Sequence, residues 1–415
     1  MTIHLSQPRA HTSGWAPPTF RAWQKHAFEL GLLPVISVAG DRGKSTVIRL
    51  LDAIFTSAGL RTATWTDLGV EIRHKRQRGE ISGWSLALNR LAEGSIDLSI
   101  QELHWSMINT VGLPPSSYPL VGITNLFPGH DGPNVGDYES AIKGTMRAMA
   151  AVHPQGSLVI SADEFPLYDA AENAPGQLIV TALSPESPGL RRHLAADGPG
   201  FWVDQGSLVG GLPGRTSKIA AVSRLSFCLH GSSAFLTSSA MNAAALAMAV
   251  GIDRATVAAA LSEFSIADDI LPGSFNTYAV NGYKVVIDRA TNPAHLRQII
   301  RAINPGHQRR QISVIGNLDD FHSAHIAEFG RILGRHAGVV ILHSNENSKC
   351  VETFRRGVAA NEFPPLFASL PTERRAVNRA LKSARPEDIV LLMTGDDPAS
   401  VIRSIRRHAE ADSSP

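Results

Sequence analysis

The chain has 415 residues, 43% of them hydrophobic, which is the composition of a globular protein that exceeds one ordinary core. Its 39 basic residues nearly balance its 37 acidic residues, and the net charge of +2 gives no reason to expect a general nucleic-acid or membrane surface. Two cysteines are too few for a disulfide framework or a cysteine-based metal cluster, and they suit a reducing compartment.

The first 32 residues are polar and proline-bearing, and they predict only a short helix at 20–30. They contain no apolar core of signal-peptide length, and no later window offers about 18 uninterrupted apolar residues. We therefore expect a cytoplasmic protein whose residues 1–32 form an N-terminal extension.

Residues 33–59 predict a buried strand, a glycine loop and an amphipathic helix. Apolar and β-branched residues favour the strand, and apolar residues at 47–58 recur at the three-to-four spacing of a helix that Gly59 ends. Between them, Gly40 and Gly43 allow successive backbone N–H groups to face an anion at the positive end of the helix dipole. This arrangement predicts a site for phosphate groups.

Two side chains in this loop suit a nucleotide. Lys44 would reach the outer phosphates and Ser45 would bind magnesium. The full eight-position phosphate-loop pattern has glycine where this chain has Val38, so a plain strand-to-helix turn is the alternative interpretation. We refer to residues 40–46 as the phosphate loop.

The next elements predict a parallel sheet. A strand is predicted at 61–65, and the basic residues at 73–78 are interpreted as an exposed loop, either a solvated hairpin tip or a clamp for an anionic substrate. Alternation of strands and a helix then implies parallel pairing. The strands are predicted at 97–103, 120–126, 157–161 and 177–183, and the helix at 138–152.

Residues 202–227 predict antiparallel strands, and helices are predicted at 238–250 and 254–264. The pattern breaks at 268–272, and beyond it Asn281-Gly282 is the strongest short hairpin signal in the chain. Alternation then resumes without a Gly-x-Gly-x-x-Gly fingerprint, so dinucleotide binding is not supported. Helices are predicted at 294–303, 325–335, 373–383 and 401–408, and strands at 312–315, 339–343 and 389–394.

The predicted fold class is α/β: a parallel-sheet, phosphate-loop nucleotide-binding domain at 33–270, followed by a smaller Rossmann-like domain at 271–415. Open sheets of this class bind ligands at the carboxyl ends of their strands. Glu102 and Asn125 end two predicted strands, and His130 follows. Glu102 and His130 are therefore candidates to reach a magnesium ion whose other ligands are phosphate oxygens, with a surface or structural role as the alternative for each.

In order and spacing, these motifs resemble the Mur ligase family, whose members are ATP-dependent carboxylate–amine ligases. The resemblance covers the chain from about residue 33 to its C-terminus. Within the family, the patterns at 66–72, 272–276 and 316–320 are most similar to the Mur-like half of cyanophycin synthetase, with poly-γ-glutamate synthetase nearly as similar. The family's UDP-sugar domain has no counterpart, so we expect no cell-wall UDP substrate. The resemblance is carried by the phosphate loop, Glu102, the residues 123–126 with His130, Lys143 and the residues 288–293.

The resemblance implies roles for residues of the first domain. Ser45, Glu102 and His130 would serve the magnesium ions, and Lys143 would correspond to the lysine that family members carbamoylate, with a plain surface lysine as the alternative. Asn125 would contact the nucleotide, and Asn242 would lie near its adenine. The nucleotide would also be bound by Gly40, Asp41, Arg42, Gly43, Lys44, Ser45 and Thr46, with Lys44 on the β- and γ-phosphates.

In the second domain, the resemblance implies that Asp288 and Asn292 belong to a strand-end motif that faces the nucleotide when the domains close. The chain departs from the family in three places. His130 stands in Gly-His-Asp-Gly where members commonly have Asp-His-Leu-Asp, Ser274 replaces an arginine, and Thr291 replaces a histidine. We interpret these departures as divergence on the substrate side.

The sequence therefore predicts an ATP-dependent amide ligase that acts through an acyl phosphate, with ATP and Mg²⁺ as cofactors. Its partners would be a small-molecule or peptide carboxylate and an amine, without nucleic acid or membrane, and the two substrates and the oligomeric state are left open. One alternative is a nucleotide-binding scaffold or regulator with little or no ligase activity. Another is an ordinary phosphate-loop kinase, which leaves the second domain unexplained.

Overall fold

The computed structural model describes residues 16–126, 138–304, 308–393 and 397–411. These residues form two compact units, divided between Phe264 and Ser265, and each unit contains one sheet. Within the described ranges, no helix combines the length and the apolar character that crossing a bilayer requires.

The first unit is an α/β assembly around a large sheet. In chain order its elements are α1 (Phe20–Glu29), β1 (Val35–Ala39), α2 (Lys44–Ser57), β2 (Thr62–Thr66), β3 (Gly69–Ile72), β4 (Lys75–Arg76), α3 (Glu80–Ala92), β5 (Leu98–Leu103), α4 (Trp105–Thr110), β6 (Tyr118–Ile123), α5 (Tyr138–Ala150), β7 (Val152–Ser161), α6 (Phe165–Ala171), β8 (Gln177–Ala182), α7 (Pro188–Ala195), β9 (Gly200–Asp204), β10 (Ser207–Leu212), β11 (Arg215–Ala221), α8 (Ala234–Ala249) and α9 (Arg254–Glu263).

The sheet of the first unit has the strand order β11-β10-β9-β8-β7-β6-β1-β5-β2-β3-β4. The strands from β9 to β2 run parallel, and both edges continue in antiparallel strands. Strand β1 is entirely buried, lies between β5 and β6, and pairs Val38 with Glu102 and Ala39 with Ile123. The carboxyl ends of β1, β5 and β6 therefore meet at one edge, where such sheets bind ligands.

The residues after β1 form helix α2, whose apolar side chains recur on one face and are buried there. Leu50, Leu51, Ile54 and Phe55 are fully buried, and the helix packs against α8 and α9. This packing fixes the start of α2, and with it the phosphate loop, against the edge of the sheet.

The second unit contains a smaller sheet. In chain order its elements are β12 (Asn276–Val280), β13 (Tyr283–Asp288), α10 (Pro293–Ile303), β14 (Gln311–Gly316), α11 (Ser323–His336), β15 (Val339–His343), α12 (Ser348–Ala359), β16 (Leu366–Leu370), α13 (Glu373–Ser383), β17 (Ile389–Met393) and α14 (Pro398–Ala411). The strand order is β12-β13-β17-β14-β15-β16. The β12–β13 pair is an antiparallel hairpin whose turn residues Asn281 and Gly282 have φ values of 46° and 83°, as a type I′ turn requires, and the other pairs are parallel.

The predicted fold class is confirmed, and the structure corrects several of the predicted helices and strands. The basic residues at 73–78 are not wholly a loop: Lys75–Arg76 forms β4, an exposed edge strand that pairs antiparallel with β3. Arg73 and His74 therefore lie at an exposed hairpin tip, which is one of the two predicted interpretations. The strand predicted at 120–126 ends at Ile123. The sequence also missed the helices α3, α4, α6, α7 and α12 and the strands β3 and β16.

Candidate nucleotide and metal site

The phosphate loop passes very close to the end of β6. Gly40 has a φ of 130°, and a Cβ atom there would lie 2.1 Å from Thr124 Oγ1 and 3.2 Å from the backbone nitrogen of Asn125. A side chain at position 40 would therefore meet both an unfavourable backbone conformation and a direct clash. Only glycine fits this crossing.

Asn125 holds the loop in place. Its Oδ1 accepts hydrogen bonds from the backbone nitrogens of Asp41, at 2.8 Å, and Arg42, at 3.2 Å, while its Nδ2 donates to the Arg42 carbonyl at 2.7 Å. Thr124 Oγ1 donates to the same carbonyl at 2.9 Å. The structure thus places Asn125 against the loop backbone, where it orders the loop; its predicted contact with a nucleotide stays a prediction.

Within the phosphate loop, Gly43 directly precedes α2 in a left-handed conformation with a φ of 88°. A Cβ atom at Gly43 would lie 2.9 Å from Ser239 Oγ, so the loop also packs closely against α8. Beside it, the Arg42 guanidinium lies 4.4 Å from the centre of the Phe235 ring. Because α8 carries Phe235, Ser239 and Asn242 at a spacing of four and three residues, these side chains share one helical face.

Asn242 is buried, with 1% of its surface exposed. Its Nδ2 donates to the Ser238 carbonyl at 2.9 Å, whereas its Oδ1 is buried without a hydrogen-bond partner among the described residues. A buried amide oxygen that lacks a donor costs about 1–3 kcal/mol. An N–H donor from a ligand, such as the exocyclic amine of adenine, would remove this cost.

Lys44, Ser45 and Glu102, which the sequence places far apart, come together at the carboxyl end of β5. The Lys44 side chain is 8% exposed and that of Glu102 is 3% exposed, and Lys44 Nζ lies 3.6 Å from Glu102 Oε1. Lys44 Nζ also donates to the Asp41 carbonyl at 3.0 Å. Ser45 Oγ donates to Glu102 Oε2 at 3.0 Å. A buried cation, a hydroxyl and a carboxylate thus converge beside the phosphate loop.

Asp67 and His104 complete this group. One ligand atom from each of Asp67, Glu102 and His104 lies within 4.8 Å of the others. His104 Nε2 is 2.8 Å from Asp67 Oδ1 and 3.5 Å from Glu102 Oε1. Burial lowers the pKa of His104, but the hydrogen bond to Asp67 and the charge of Glu102 outweigh burial, so the pKa lies above its usual value. Two carboxylates, an imidazole and the Ser45 hydroxyl are a donor set that suits a divalent cation.

The sequence interpretation missed Asp67 and His104, although the signal was present. Asp67 directly follows β2 and His104 directly follows β5, so both occupy the strand-end positions that pointed to Glu102. The predicted ligand His130 lies outside the described residues.

Glu164 is a further polar group at this edge that the sequence interpretation missed. It follows β7, and its Oε2 accepts a hydrogen bond of 2.7 Å from the Leu126 backbone nitrogen. Burial, together with the negative charges of Asp163 and Asp41, raises the pKa of Glu164 to about 7, although the bond from Leu126 opposes this. The site therefore contains a carboxyl group that changes charge near neutral pH.

Lys143 lies on α5 with its side chain exposed, and it makes no hydrogen bond or ion pair with another described residue. Its predicted carbamoylation stays a prediction.

In the second unit, Asp288 is the last residue of β13 and is 5% exposed. Its Oδ1 accepts a hydrogen bond of 2.7 Å from the Arg289 backbone nitrogen. Asn292 caps α10, since its Oδ1 accepts from the His295 backbone nitrogen at 3.0 Å, and the Thr291 hydroxyl lies 2.8 Å from His295 Nδ1. These contacts order the start of α10; the predicted nucleotide roles of Asp288 and Asn292 stay predictions.

Comparison with known proteins supports the resemblance drawn from the motifs. Residues 275–395 match the family model of the Mur ligase glutamate ligase domain. Over 386 residues the chain is 22% identical to cyanophycin synthetase of Nostoc sp. strain PCC 7120, in an alignment that covers 91% of this chain and 42% of that protein. The chain thus spans about two fifths of the length of the curated relatives it matches.

Solved structures share the fold. A bifunctional folylpolyglutamate synthase/dihydrofolate synthase of Yersinia pestis, complexed with AMPPNP and Mn ion, matches with a TM-score of 0.64 and 17% identity over 97% of this chain and 96% of that one. The MurF ligase of Thermotoga maritima, in complex with ADP, matches with a TM-score of 0.63 and 13% identity over 95% of this chain and 84% of that one. The predicted resemblance to Mur ligases and to cyanophycin synthetase is confirmed, and the relatives are ligases and synthetases.

Proposed function

We propose that this chain is an ATP-dependent carboxylate–amine ligase. The observation that carries the proposal is the convergence of Lys44 and Ser45, at the start of α2, with Glu102, at the end of β5. A phosphate loop alone would suggest any nucleotide-binding protein, whereas this edge also has a group of side chains that could bind a cation and belongs to a fold shared with ligases.

Nucleotide binding is supported by the loop and by α8. Gly40 and Gly43 let the loop backbone pass close to Thr124 and Ser239 in a conformation that other residues would not adopt, and the start of α2 presents the positive end of its dipole. Lys44 would bind the β- and γ-phosphates. The unpartnered Oδ1 of Asn242, on the α8 face beside Gly43, would accept a hydrogen bond from adenine.

Ser45, Asp67, Glu102 and His104 would hold the magnesium ion, since their donor atoms fit a divalent cation. A bound Mg²⁺ supplies charge neutralisation at phosphate oxygens. Lys44 adds a fixed positive charge within the same buried group, and losing one such contact typically lowers a rate by a factor of about 10² to 10³.

In the proposed reaction, a substrate carboxylate takes the γ-phosphoryl group of ATP, and an amine then attacks the acyl phosphate to give an amide, ADP and phosphate. The matched domain is described as a glutamate ligase domain, so glutamate and aspartate are the first amines to test. The exposed basic residues at 73–78 would suit an acidic peptide or polyamide as the carboxylate substrate.

The test is a screen of ADP release across amino acids combined with short acidic peptides, followed by mass spectrometry of the products. We expect ADP release that requires both substrates and a product whose mass is their sum less one water. Tight ATP binding without such a product would instead favour the nucleotide-binding scaffold.

A further inference from the structure

The second unit contains a cavity of about 450 Å³ between α10 and α11. Arginine residues dominate its walls, with Arg297 and Arg301 on α10 and Arg331 and Arg335 on α11. We call this cavity the arginine groove. It lies entirely within the second unit and involves none of the residues assigned to the nucleotide and metal site.

The groove is strongly cationic, although the whole chain carries a net charge of only +2. Glu328 is its one acidic lining residue, and it pairs with Arg297 and, at 2.6 Å, with Arg331. Arg301 and Arg335 form no ion pair with any described residue. Like charges four residues apart destabilise a helix, so the groove keeps an unfavourable arrangement that an anionic ligand would relieve.

Two apolar residues also line the groove, and we call them its floor. They are Ile300 and Ile332, with 1% and 5% of their surface exposed. A ligand that combines anionic ends with short aliphatic stems would therefore match both the walls and the floor.

The α11 wall is held in place by close backbone packing on α12. A Cβ atom at Gly330 would lie 2.3 Å from the Phe354 carbonyl oxygen, and one at Gly334 would lie 2.3 Å from Asn361 Nδ2. Asn361 Nδ2 in turn donates to the Val358 carbonyl at 3.0 Å. A wall fixed in this way adds little backbone ordering cost when a ligand binds.

We propose that the arginine groove binds an acidic polypeptide segment in an extended conformation. Each helix carries its two arginines four residues apart, which is a rise of about 6 Å along the axis. In an extended chain, side chains on one face repeat every ~6.7 Å. Carboxylates at alternate residues therefore match the spacing of the arginines. Arg301 and Arg335, which form no ion pair with a described residue, can each bind one carboxylate in a bidentate manner.

The direct test uses the full chain without ATP and a fluorescein-labelled octaglutamate peptide, with binding followed by fluorescence anisotropy. The variant Arg301→Gln with Arg335→Gln removes the two arginines that lack ion pairs. We expect it to weaken binding about tenfold or more, because the charge-assisted hydrogen bonds of both guanidiniums to ligand carboxylates are lost. The matched control is Arg375→Gln with Arg379→Gln, which removes the same charge from exposed positions on α13. Equal weakening by the two double variants would overturn the proposal.

Two further measurements test the ligand class and the place of binding. Pyrophosphate and a single-stranded oligothymidylate of matched charge should compete poorly, and competition as effective as that of unlabelled octaglutamate would contradict an acidic polypeptide as the ligand. Hydrogen exchange of the wild-type chain should slow in α10 and α11 when octaglutamate is added. Slowing confined to other elements would place the peptide elsewhere and overturn the groove assignment.

Discussion

Ser45 Oγ donates a hydrogen bond of 3.0 Å to Glu102 Oε2, although 57 positions separate the two residues in the chain. The bond exists because β1 and β5 are parallel neighbours, so that the helix after β1 begins beside the end of β5. It joins the phosphate loop to the candidate cation site, and the proposed chemistry depends on this connection.

The first prediction concerns Lys44. We expect Lys44→Ala to lower substrate-dependent ADP release by a factor of about 10² to 10³, because a buried positive charge beside the phosphates is lost. The control is Lys25→Ala, which removes an exposed lysine from α1 and should leave the rate unchanged. Circular dichroism should show cooperative melting for both variants. Full turnover by Lys44→Ala would show that Lys44 does not bind the phosphates of the nucleotide.

The second prediction concerns the close approach at Gly40. A Cβ atom there would lie 2.1 Å from Thr124 Oγ1, whereas one at Gly59 meets nothing within 4 Å, and both glycines have positive φ. We expect Gly59→Ala to lower the free energy of unfolding by about 1 kcal/mol, and Gly40→Ala to lower it by at least ~2 kcal/mol. Urea denaturation measures both values. Equal losses would mean that the loop adapts without cost.

The third prediction is a pH dependence from Glu164. Its pKa is about 7 in the folded chain against a reference of 4.5, so the folded state retains a proton that the unfolded state has lost. The stabilisation from this proton is fully present below about pH 4.5 and is lost as the pH rises toward 7.

We expect Glu164→Gln to reduce the fall in unfolding free energy between pH 4.5 and pH 8 by up to about 3 kcal/mol. Gln keeps an oxygen that can accept the Leu126 bond. Glu263→Gln, an exposed position on α9, is the control and should follow the wild-type pH profile. A Glu164→Gln profile parallel to that of the wild type would show that Glu164 titrates normally.

The fourth prediction concerns the cation site. We expect Asp67→Asn to weaken Mn²⁺ binding about tenfold or more, because the variant removes a charged oxygen from the group that also contains Glu102 and His104. Titration followed by electron paramagnetic resonance measures the free ion directly. The exposed Asp169→Asn should bind as the wild type does. If Asp67→Asn also binds Mn²⁺ normally, Asp67 is not a ligand.

The fifth prediction concerns Asn242, where stability and ligand affinity should change in opposite directions. Asn242→Leu removes a buried oxygen that lacks a donor, so we expect the ligand-free chain to gain up to about 1 kcal/mol of unfolding free energy. The same change should weaken ADP binding about tenfold in calorimetry, since the proposed partner of adenine is lost. Unchanged ADP affinity would place adenine elsewhere.

The sequence predicted most of the fold because strong local patterns agree with it. Buried β-branched strands such as β1, and the Asn281-Gly282 turn, specify their own conformation. The missed elements have weaker patterns. Ile81 and Leu86 are exposed on α3 and disturb its apolar period, and β16 is an edge strand whose Leu366 is 75% exposed.

The sequence predicted the phosphate loop and Glu102, but it could not give the contacts between them. Asp67 and Glu102 are brought together by the strand order, in which β5 pairs with both β1 and β2. The clamp formed by Asn125 depends on the same order, since β6 lies on the other side of β1. Such contacts are long-range and leave no local period in the sequence.

The measurement that tests the central claim most directly is isotope transfer from the substrate carboxylate. Once the screen has identified a carboxylate and an amine, the carboxylate is labelled with ¹⁸O and the released phosphate is analysed by mass spectrometry. An acyl phosphate leaves one carboxylate oxygen on the phosphate, so the ligase predicts one ¹⁸O atom in each phosphate, formed in step with amide. Phosphate that contains no ¹⁸O would show that ATP is hydrolysed by water and would contradict carboxylate activation by this chain.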